Sequence, residues 1–193
     1  MSSGKIVFED MIYYKGHFVV IDKESWELQS LKLSDYDCCF KVKGRCKLPE
    51  STISNEVNGT KYLVVSVLGD LLMVKRNVEC KWKKESDEEV GILDFYETNM
   101  FEVFRFDWES KENWKEVKSL GDQALFLMHN DSKSVSCTDS AECRMNCIYF
   151  VDDAMEEEHG LCGGKDFGVF DMESKTIERF YSVPFNRWLS LQI

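Results

Sequence analysis

Proline is scarce in this sequence of 193 residues, and long apolar runs are missing from it. The two prolines, Pro49 and Pro184, exclude long, stiff, proline-rich linkers between domains. The longest apolar run, LVVSVLGDLLMV, is short and is broken by Gly69 and Asp70, which excludes a membrane-spanning segment. The first residues, MSSGKIVFEDMIYY, include acidic residues and no hydrophobic signal segment. We therefore expect a cytoplasmic protein, a nuclear protein or both.

Basic residues are also in short supply. The chain has 24 lysines and arginines against 35 acidic residues, a net charge of −11 with neutral histidines. Nucleic-acid binding requires a basic surface that neutralises phosphates, so this class of partner is excluded, as is an anionic membrane surface. An acidic protein of this kind is more compatible with a protein partner that presents a basic surface.

Cysteine is abundant, with eight residues, but the chain is too long and too rich in aromatic residues to need a disulfide framework. We predict free thiols in a reducing compartment. The best candidate zinc cluster consists of Cys137, Cys143, Cys147, His159 and Cys162. This set lacks the C-x2-C pair typical of structural zinc sites, so buried or surface thiols are the favoured interpretation.

Catalytic motifs are absent from the sequence. The three histidines are His17, His129 and His159, and of these His129 is the least implausible base for a cysteine nucleophile. No G-x-S-x-G, phosphate-binding loop or dinucleotide-binding fingerprint occurs. We therefore expect no catalytic residue, no metal and no cofactor.

A tetrapeptide of the form Asp-x-Glu-Ser closes three separate apolar runs. An aspartate at the end of a strand accepts a hydrogen bond from a backbone N–H two residues later, so each copy predicts a tight turn in an antiparallel hairpin. The turn residues are Asp22, Glu24, Ser25, Asp107, Glu109, Ser110, Asp171, Glu173 and Ser174. Trp26 and Trp114 follow two of these turns, which predicts equivalent packing roles for the two tryptophans.

The apolar runs predict strands that are covered on both faces, since HFVVI and FEVFRF do not alternate with polar residues. Small sheets stacked radially cover their inner strands in this way, which favours a β-propeller. We predict an all-β chain that forms one partial, open, kelch-like propeller over residues 1–193. Three four-stranded antiparallel blades are expected at about 10–35, 61–120 and 121–182, with insertions at 38–60 and 78–99. The alternative to these insertions is a further blade between Asp22 and Asp107, the larger of the two intervals between the repeated aspartates, that carries no copy of the tetrapeptide.

Four segments together resemble the propeller of plant F-box proteins of the KIB type. They are KYLVVSVLGDLLMVKR, FEVFRFDWESKENWKEVKSLGDQALFLMHNDSKSVSC, NCIYFVDD and DFGVFDMES. The resemblance covers most of residues 12–181 and implies the substrate-recognition subunit of an SCF-type ubiquitin ligase. In that family the F-box engages a Skp1-like adaptor. This sequence begins directly on a predicted blade without an F-box, so contact with a Skp1-like adaptor is doubtful for it.

The predicted function is a non-enzymatic protein-binding module. The alternatives are a truncated family member without independent activity and an enzyme with its site on the propeller channel. Loops between strands carry the binding sites of propellers, which points to the segments Arg45 to Thr60 and Lys81 to Val90. Because an open ring leaves blade faces uncovered, we expect the isolated chain to be marginally soluble, to self-associate through those faces or to need a covering partner.

Overall fold

A computed structural model describes residues 7–23, 26–33, 40–49, 59–83, 92–107, 113–129, 131–138, 143–152 and 166–180 of the chain. These residues form thirteen β-strands in three sheets. The predicted all-β class is therefore confirmed. Within the described ranges there is no helix with the length and apolar character needed to cross a membrane.

The first sheet consists of β1 (Phe8–Tyr14), β2 (His17–Asp22), β3 (Glu27–Leu33) and β4 (Phe40–Lys47), paired antiparallel in chain order. Lys15 and Gly16 form the two-residue turn between β1 and β2, and both have positive φ, 47° and 85°. Two consecutive positive φ values suit the twist of a tight hairpin, and glycine adopts one of them without strain.

The second sheet consists of β5 (Thr60–Val65), β6 (Leu71–Lys83), β7 (Ile92–Phe106) and β8 (Trp114–Glu116), again antiparallel in chain order. The strands β6 and β7 continue past their neighbours as a two-stranded ribbon, in which 77–83 pairs with 92–100. Register shifts at Asn77/Val78 and Lys81/Trp82 interrupt the ribbon. Such bulges bend a strand and increase its twist.

The third sheet consists of β9 (Gln123–Leu127), β10 (Lys133–Ser136), β11 (Cys147–Phe150), β12 (Gly168–Asp171) and β13 (Ile177–Arg179). Its order is β10-β9-β11-β12-β13, and β11 lies parallel to β9. The expected four-stranded antiparallel blade is corrected here to five strands with one parallel pair. The cause is that β10 folds back on one edge of β9 and leaves the other edge for β11.

The observed sheets also differ in extent from the expected blades. They occupy residues 8–47, 60–116 and 123–179. Strand β4 lies inside the segment 38–60 that the sequence interpretation assigned to an insertion, because a lysine-rich edge strand has a weak strand signal. Strands β6 and β7 likewise run through the described part of 78–99. That the whole chain forms a single partial domain stays a prediction.

Two apolar cores separate the three sheets, and the second sheet contributes to both. Tyr62 and Val64 of β5 face the third sheet, where they pack in a core with Phe101, Ile148 and Phe170. The alternate residues of the same strand face the first sheet, in a core that contains Leu63, Met73, Trp114, Val19 and Ile21. Each buried aliphatic or aromatic side chain contributes about 1.5–3 kcal/mol. The second sheet therefore packs against both neighbours because successive side chains of β5 point alternately into the two cores.

Candidate protein-interaction surface

The third copy of the repeated tetrapeptide forms a hydrogen-bonded turn. The Asp171 carboxylate accepts backbone N–H groups from Glu173 at 2.9 Å and from Ser174 at 2.8 Å. The hydrogen bond from Ser174 is the main cause that lowers the pKa of Asp171 below its ordinary value of 3.8. Lys175 closes the turn on the Asp171 carbonyl at 3.0 Å with a φ of 57°.

The other two copies differ, and their Glu and Ser residues lie outside the described part of the chain. The Asp22 carbonyl accepts the N–H of Trp26 at 3.0 Å, while its buried carboxylate accepts the Gln29 side-chain amide at 2.6 Å. The Asp107 N–H donates to the Asn113 carbonyl at 2.7 Å. The undescribed residues are Glu24, Ser25, Glu109 and Ser110. The three aspartates lie at strand ends of three different sheets.

The two tryptophans do not have equivalent packing roles, which corrects the prediction. Trp26 lies in a turn with a φ of 53°, is 40% exposed and stacks beneath the Lys61 ammonium at 3.8 Å. Trp114 lies on β8, is 6% exposed and donates from Nε1 to the Lys47 carbonyl at 3.0 Å. The left-handed backbone of Trp26 turns its side chain out of the core, whereas the strand conformation of Trp114 directs its ring inward.

The interpretation of all cysteines as free thiols is wrong for one pair, because Cys137 and Cys143 form a disulfide. The free cysteines of the described residues are Cys46 and Cys147, and burial raises the pKa of both thiols. His159 and Cys162 of the candidate zinc cluster lie outside the described residues. No group of possible metal ligands occurs in the part of the chain that the structure describes.

The β5–β6 connection, residues 66–70, is a turn that we call the rim turn. Ser66 N–H donates to the Asp70 carbonyl at 2.8 Å, and Gly69 N–H donates back to the Ser66 carbonyl at 2.8 Å. The Ser66 hydroxyl oxygen accepts the Asp70 N–H at 3.0 Å. Gly69 has a φ of 84°, which the turn requires and which other residues adopt only with strain. The rim turn is therefore closed by its own backbone.

The other two sheets fasten the rim turn from outside. From the first sheet, the Tyr14 hydroxyl donates to the Gly69 carbonyl at 2.9 Å. From the third sheet, Gln123 Oε1 and Ser134 Oγ accept the Val67 N–H at 3.2 and 3.3 Å. Ser134 also donates to Gln123 at 2.6 Å, which fixes the amide orientation. All three sheets therefore meet at this turn.

The rim turn carries two adjacent apolar side chains into solvent. Leu68 is 83% exposed and Val67 is 51% exposed, and Tyr13 near the neighbouring turn is 64% exposed. A rigid backbone that presents large apolar side chains loses little conformational entropy on binding, which is typical of an interface anchor. Sequence reasoning found the turn at Gly69 and Asp70 but not its exposed residues, because apolar letters inside an apolar run predict burial.

The first and second sheets are also joined by polar contacts between strands β1 and β5. Asp10 on β1 accepts the Leu63 N–H of β5 at 2.6 Å and its neighbour Met11 N–H at 2.8 Å. Burial is the largest influence on Asp10 and raises the pKa of its carboxyl, although both hydrogen bonds oppose this. Glu9 beside it accepts the Lys61 N–H at 2.9 Å, and burial raises the pKa of Glu9 and lowers the pKa of Lys61.

A buried ion pair, which we call the inter-sheet latch, joins the second and third sheets. Arg76 on β6 donates from Nη2 to Asp166 Oδ2 at 3.0 Å, and their side chains are 2% and 3% exposed. Thr98 on β7 donates to the same carboxylate oxygen from its N–H at 2.8 Å and its hydroxyl at 2.6 Å. Arg76 further donates to the Thr98 hydroxyl at 2.7 Å, the Tyr62 hydroxyl at 3.1 Å and the Val151 carbonyl at 2.9 Å. The latch fixes the position of the third sheet against the second.

Known proteins match the chain over most of its length. Two relatives from Arabidopsis thaliana are a protein named "Probable F-box protein At1g65740", 30% identical over 94% of this chain, and "F-box protein SKIP23", 24% identical over 92% of it. The chain spans 46% and 42% of the length of these two relatives. No solved structure matches it. The model of the KIB1-4 beta-propeller family matches residues 2–171. The three stacked open sheets are accordingly part of a β-propeller, and the chain belongs to the KIB1-4 beta-propeller family.

Proposed function

We propose that the chain is a non-enzymatic protein-binding module that recognises the target protein of an SCF-type ubiquitin ligase, and that it acts in the cytoplasm, the nucleus or both. The family and its relatives, which are named as F-box proteins, support a role in protein interaction. The observation that carries the proposal is the rim turn, with Leu68 83% exposed on a backbone held by all three sheets.

The electrostatics of the described residues favour binding over catalysis. The shifted carboxyl groups Asp10 and Glu9 lie between sheets and accept backbone N–H groups of β5, which is a structural use. In the buried pair of Arg76 and Asp166, the carboxylate oxygen Oδ2 of Asp166 accepts hydrogen bonds from Arg76 and from the N–H and hydroxyl of Thr98, which is again a structural use. A catalytic site requires titratable groups that are free to meet a substrate, whereas the carboxylates of Asp10 and Glu9 are engaged by the backbone of β5.

The test compares three tagged proteins in affinity purification from plant extract with quantitative mass spectrometry. They are the wild type, Leu68→Asp and the control Met145→Asp, whose side chain is 56% exposed outside the rim turn. We expect one partner to be recovered with the wild type and the control and to fall about tenfold with Leu68→Asp, a loss of about 1.4 kcal/mol. Equal thermal unfolding of the three proteins shows that the loss is local.

The proteins that co-purify with the tagged chain show whether it is coupled to a ubiquitin ligase. Recovery of Skp1-like and cullin subunits together with the target supports the full proposal. Recovery of a target without them supports a free-standing binding module. Equal recovery of the partner with Leu68→Asp refutes the rim turn as the binding site, and recovery of chaperones alone refutes the functional claim.

A further inference from the structure

Strand β4 reverses the charge of the protein locally. Its sequence, FKVKGRCK, contains four basic residues and no acidic residue, whereas the whole chain has a net charge of −11. Lys43, Arg45 and Lys47 are exposed, and the Arg45 side chain is 58% exposed. Arg45 and Lys47 are two residues apart on a strand and therefore share one face. The first sheet thus ends in a basic stripe on an acidic protein.

The same strand is an open edge of its sheet. In the order β1-β2-β3-β4 it pairs with β3 on one side, and no strand among the described residues pairs with its other side. Alternate residues of an edge strand direct their N–H and C=O groups away from the sheet, where they accept another strand. At the end of β4 the Lys47 carbonyl already accepts Trp114 Nε1 at 3.0 Å, so the edge that can accept a strand is 40–46. The face of the sheet is open at Gly44, because a Cβ added there would meet no atom within 4 Å. Val42 beside it is 41% exposed.

Charge decides which strand fits this edge. A second copy of β4 would place lysines opposite lysines, and like charges directly opposite are destabilising. An acidic strand would place carboxylates opposite Arg45 and Lys47. The sheet already shows this pairing on its other side, where Arg45 Nη1 lies 3.7 Å from Glu27 Oε2 of β3.

We propose that β4 binds an extended acidic segment of a partner protein as a fifth strand of the first sheet. Main-chain hydrogen bonds supply the affinity, and Arg45 and Lys47 select carboxylates two positions apart on the added strand. Lys43 lies at the register shift of β4 and adds positive charge without sharing this alternation. This inference rests on the proposed function in one respect, that the partner is a protein. It concerns a different surface from the rim turn, since β4 is the outer edge of the first sheet and the rim turn joins two strands of the second.

Fluorescence anisotropy with synthetic peptides tests the inference on the complete chain. The probe is a fluorescein-labelled peptide of alternating valine and glutamate. The comparison peptides alternate valine and lysine, or carry N-methyl groups on alternate backbone amides of the acidic probe. We expect the acidic probe to bind, and the lysine and N-methylated peptides to bind at least about tenfold more weakly. Raising the salt from about 0.1 M to about 1 M shortens the Debye length from ~10 to ~3 Å and should weaken binding.

Two charge-matched double variants locate the site. Arg45→Glu with Lys47→Glu should weaken binding of the acidic probe by about tenfold or more, because attraction becomes repulsion. Lys118→Glu with Lys133→Glu, at exposed positions outside β4, makes the same change in net charge and should leave binding unchanged. Equal thermal unfolding of both variants excludes a loss of fold.

Several results would overturn the inference. If the N-methylated peptide bound as tightly as the acidic probe, binding would depend on charge alone and not on strand addition. Equal binding of an oligothymidylate probe would show a general anion surface, and loss of binding in the Lys118 and Lys133 variant would place the site elsewhere. Absence of any peptide binding would mean that the lysines of β4 serve only to prevent edge-to-edge pairing. In that case Leu68→Asp still tests the proposed function by itself, so the two can fail separately.

Discussion

Replacing Arg76 by methionine should destabilise the protein strongly, because the change leaves the buried carboxylate of Asp166 without its cation. The two side chains are 2% and 3% exposed, so solvent cannot replace the lost partner. Removing one member of a buried, hydrogen-bonded ion pair costs about 3–5 kcal/mol. The Thr98 hydroxyl, the Tyr62 hydroxyl and the Val151 carbonyl also lose a donor, which places the cost toward the upper end of that range.

Equilibrium unfolding in urea measures this loss. With a slope of about 2 kcal/mol per M for a protein of this size, a loss of about 4 kcal/mol lowers the urea midpoint by about 2 M. Arg105→Met is a matched control, since Arg105 lies 3.6 Å from Asp70 and both side chains are more than 40% exposed. A surface pair of this kind contributes about 0–1 kcal/mol, so the midpoint of the control should barely move.

A double variant separates the ion pair from simple packing. Arg76→Met combined with Asp166→Leu removes both charges, so we expect it to be no less stable than Arg76→Met alone. If Arg76→Met cost less than about 1 kcal/mol, or if the losses of the two single variants simply added, the latch would not be an interacting ion pair. Should Arg76→Met fail to fold, the milder Thr98→Val is expected to cost about 1–3 kcal/mol and tests the same network.

Three further predictions concern stability. Burial raises the pKa of Asp10, so the contribution of this carboxyl to stability is present below pH 3.8 and is lost as pH rises through the folded-state pKa. In urea titrations, the free energy of unfolding of the wild type relative to that of Asp10→Asn should therefore fall toward neutral pH. Gly168→Ala should cost about 1–3 kcal/mol in thermal unfolding, because the added Cβ would lie 2.3 Å from a backbone oxygen of β13. Asp171→Ala should cost about 1 kcal/mol by removing the acceptor of two turn N–H groups, and in the wild type this contribution is lost as pH falls below 3.8.

Each of these predictions has a control and a contradicting result. Asp122→Asn, at an exposed position, is the control for the change of charge itself; an equal pH trend in Asp10→Asn and Asp122→Asn would remove the argument for Asp10. Gly44→Ala places a Cβ in open space and should be neutral, and equal losses at Gly44 and Gly168 would contradict the steric reasoning. A stability of Asp171→Ala that equals wild type at every pH would show that the turn forms without its aspartate.

The sequence predicts those features of the fold that depend on neighbouring residues. Runs that are apolar at consecutive positions indicate strands covered on both faces, and β5 fulfils this with Tyr62 in one core and Leu63 in the other. The all-β class and the family follow from such runs and their order. The turn at Asp171 is predictable for the same reason, because its carboxylate acceptor and the N–H donors of Glu173 and Ser174 lie within three residues of each other.

Features that depend on distant residues could not be predicted. The run LLMVKRNVEC predicts a strand but gives no sign that its arginine is buried against an aspartate 90 residues away. The pairing of Cys137 with Cys143 requires that both thiols approach each other, which spacing alone does not show. The exposure of Leu68 depends on contacts of the rim turn with the first and third sheets. Candidate sites between sheets are therefore least visible to sequence reasoning.

The parallel pair of β9 and β11 has a consequence for synthesis on the ribosome. In the first two sheets each strand pairs with the strand made just before it, so these sheets assemble as the chain emerges. Strand β9 can pair at once with β10, but its other edge waits for Cys147 and the residues that follow it. During that interval Ala124 and Leu125, both fully buried in the finished protein, lack their partner strand. The third sheet is thus the point at which a growing chain most needs protection from wrong pairing.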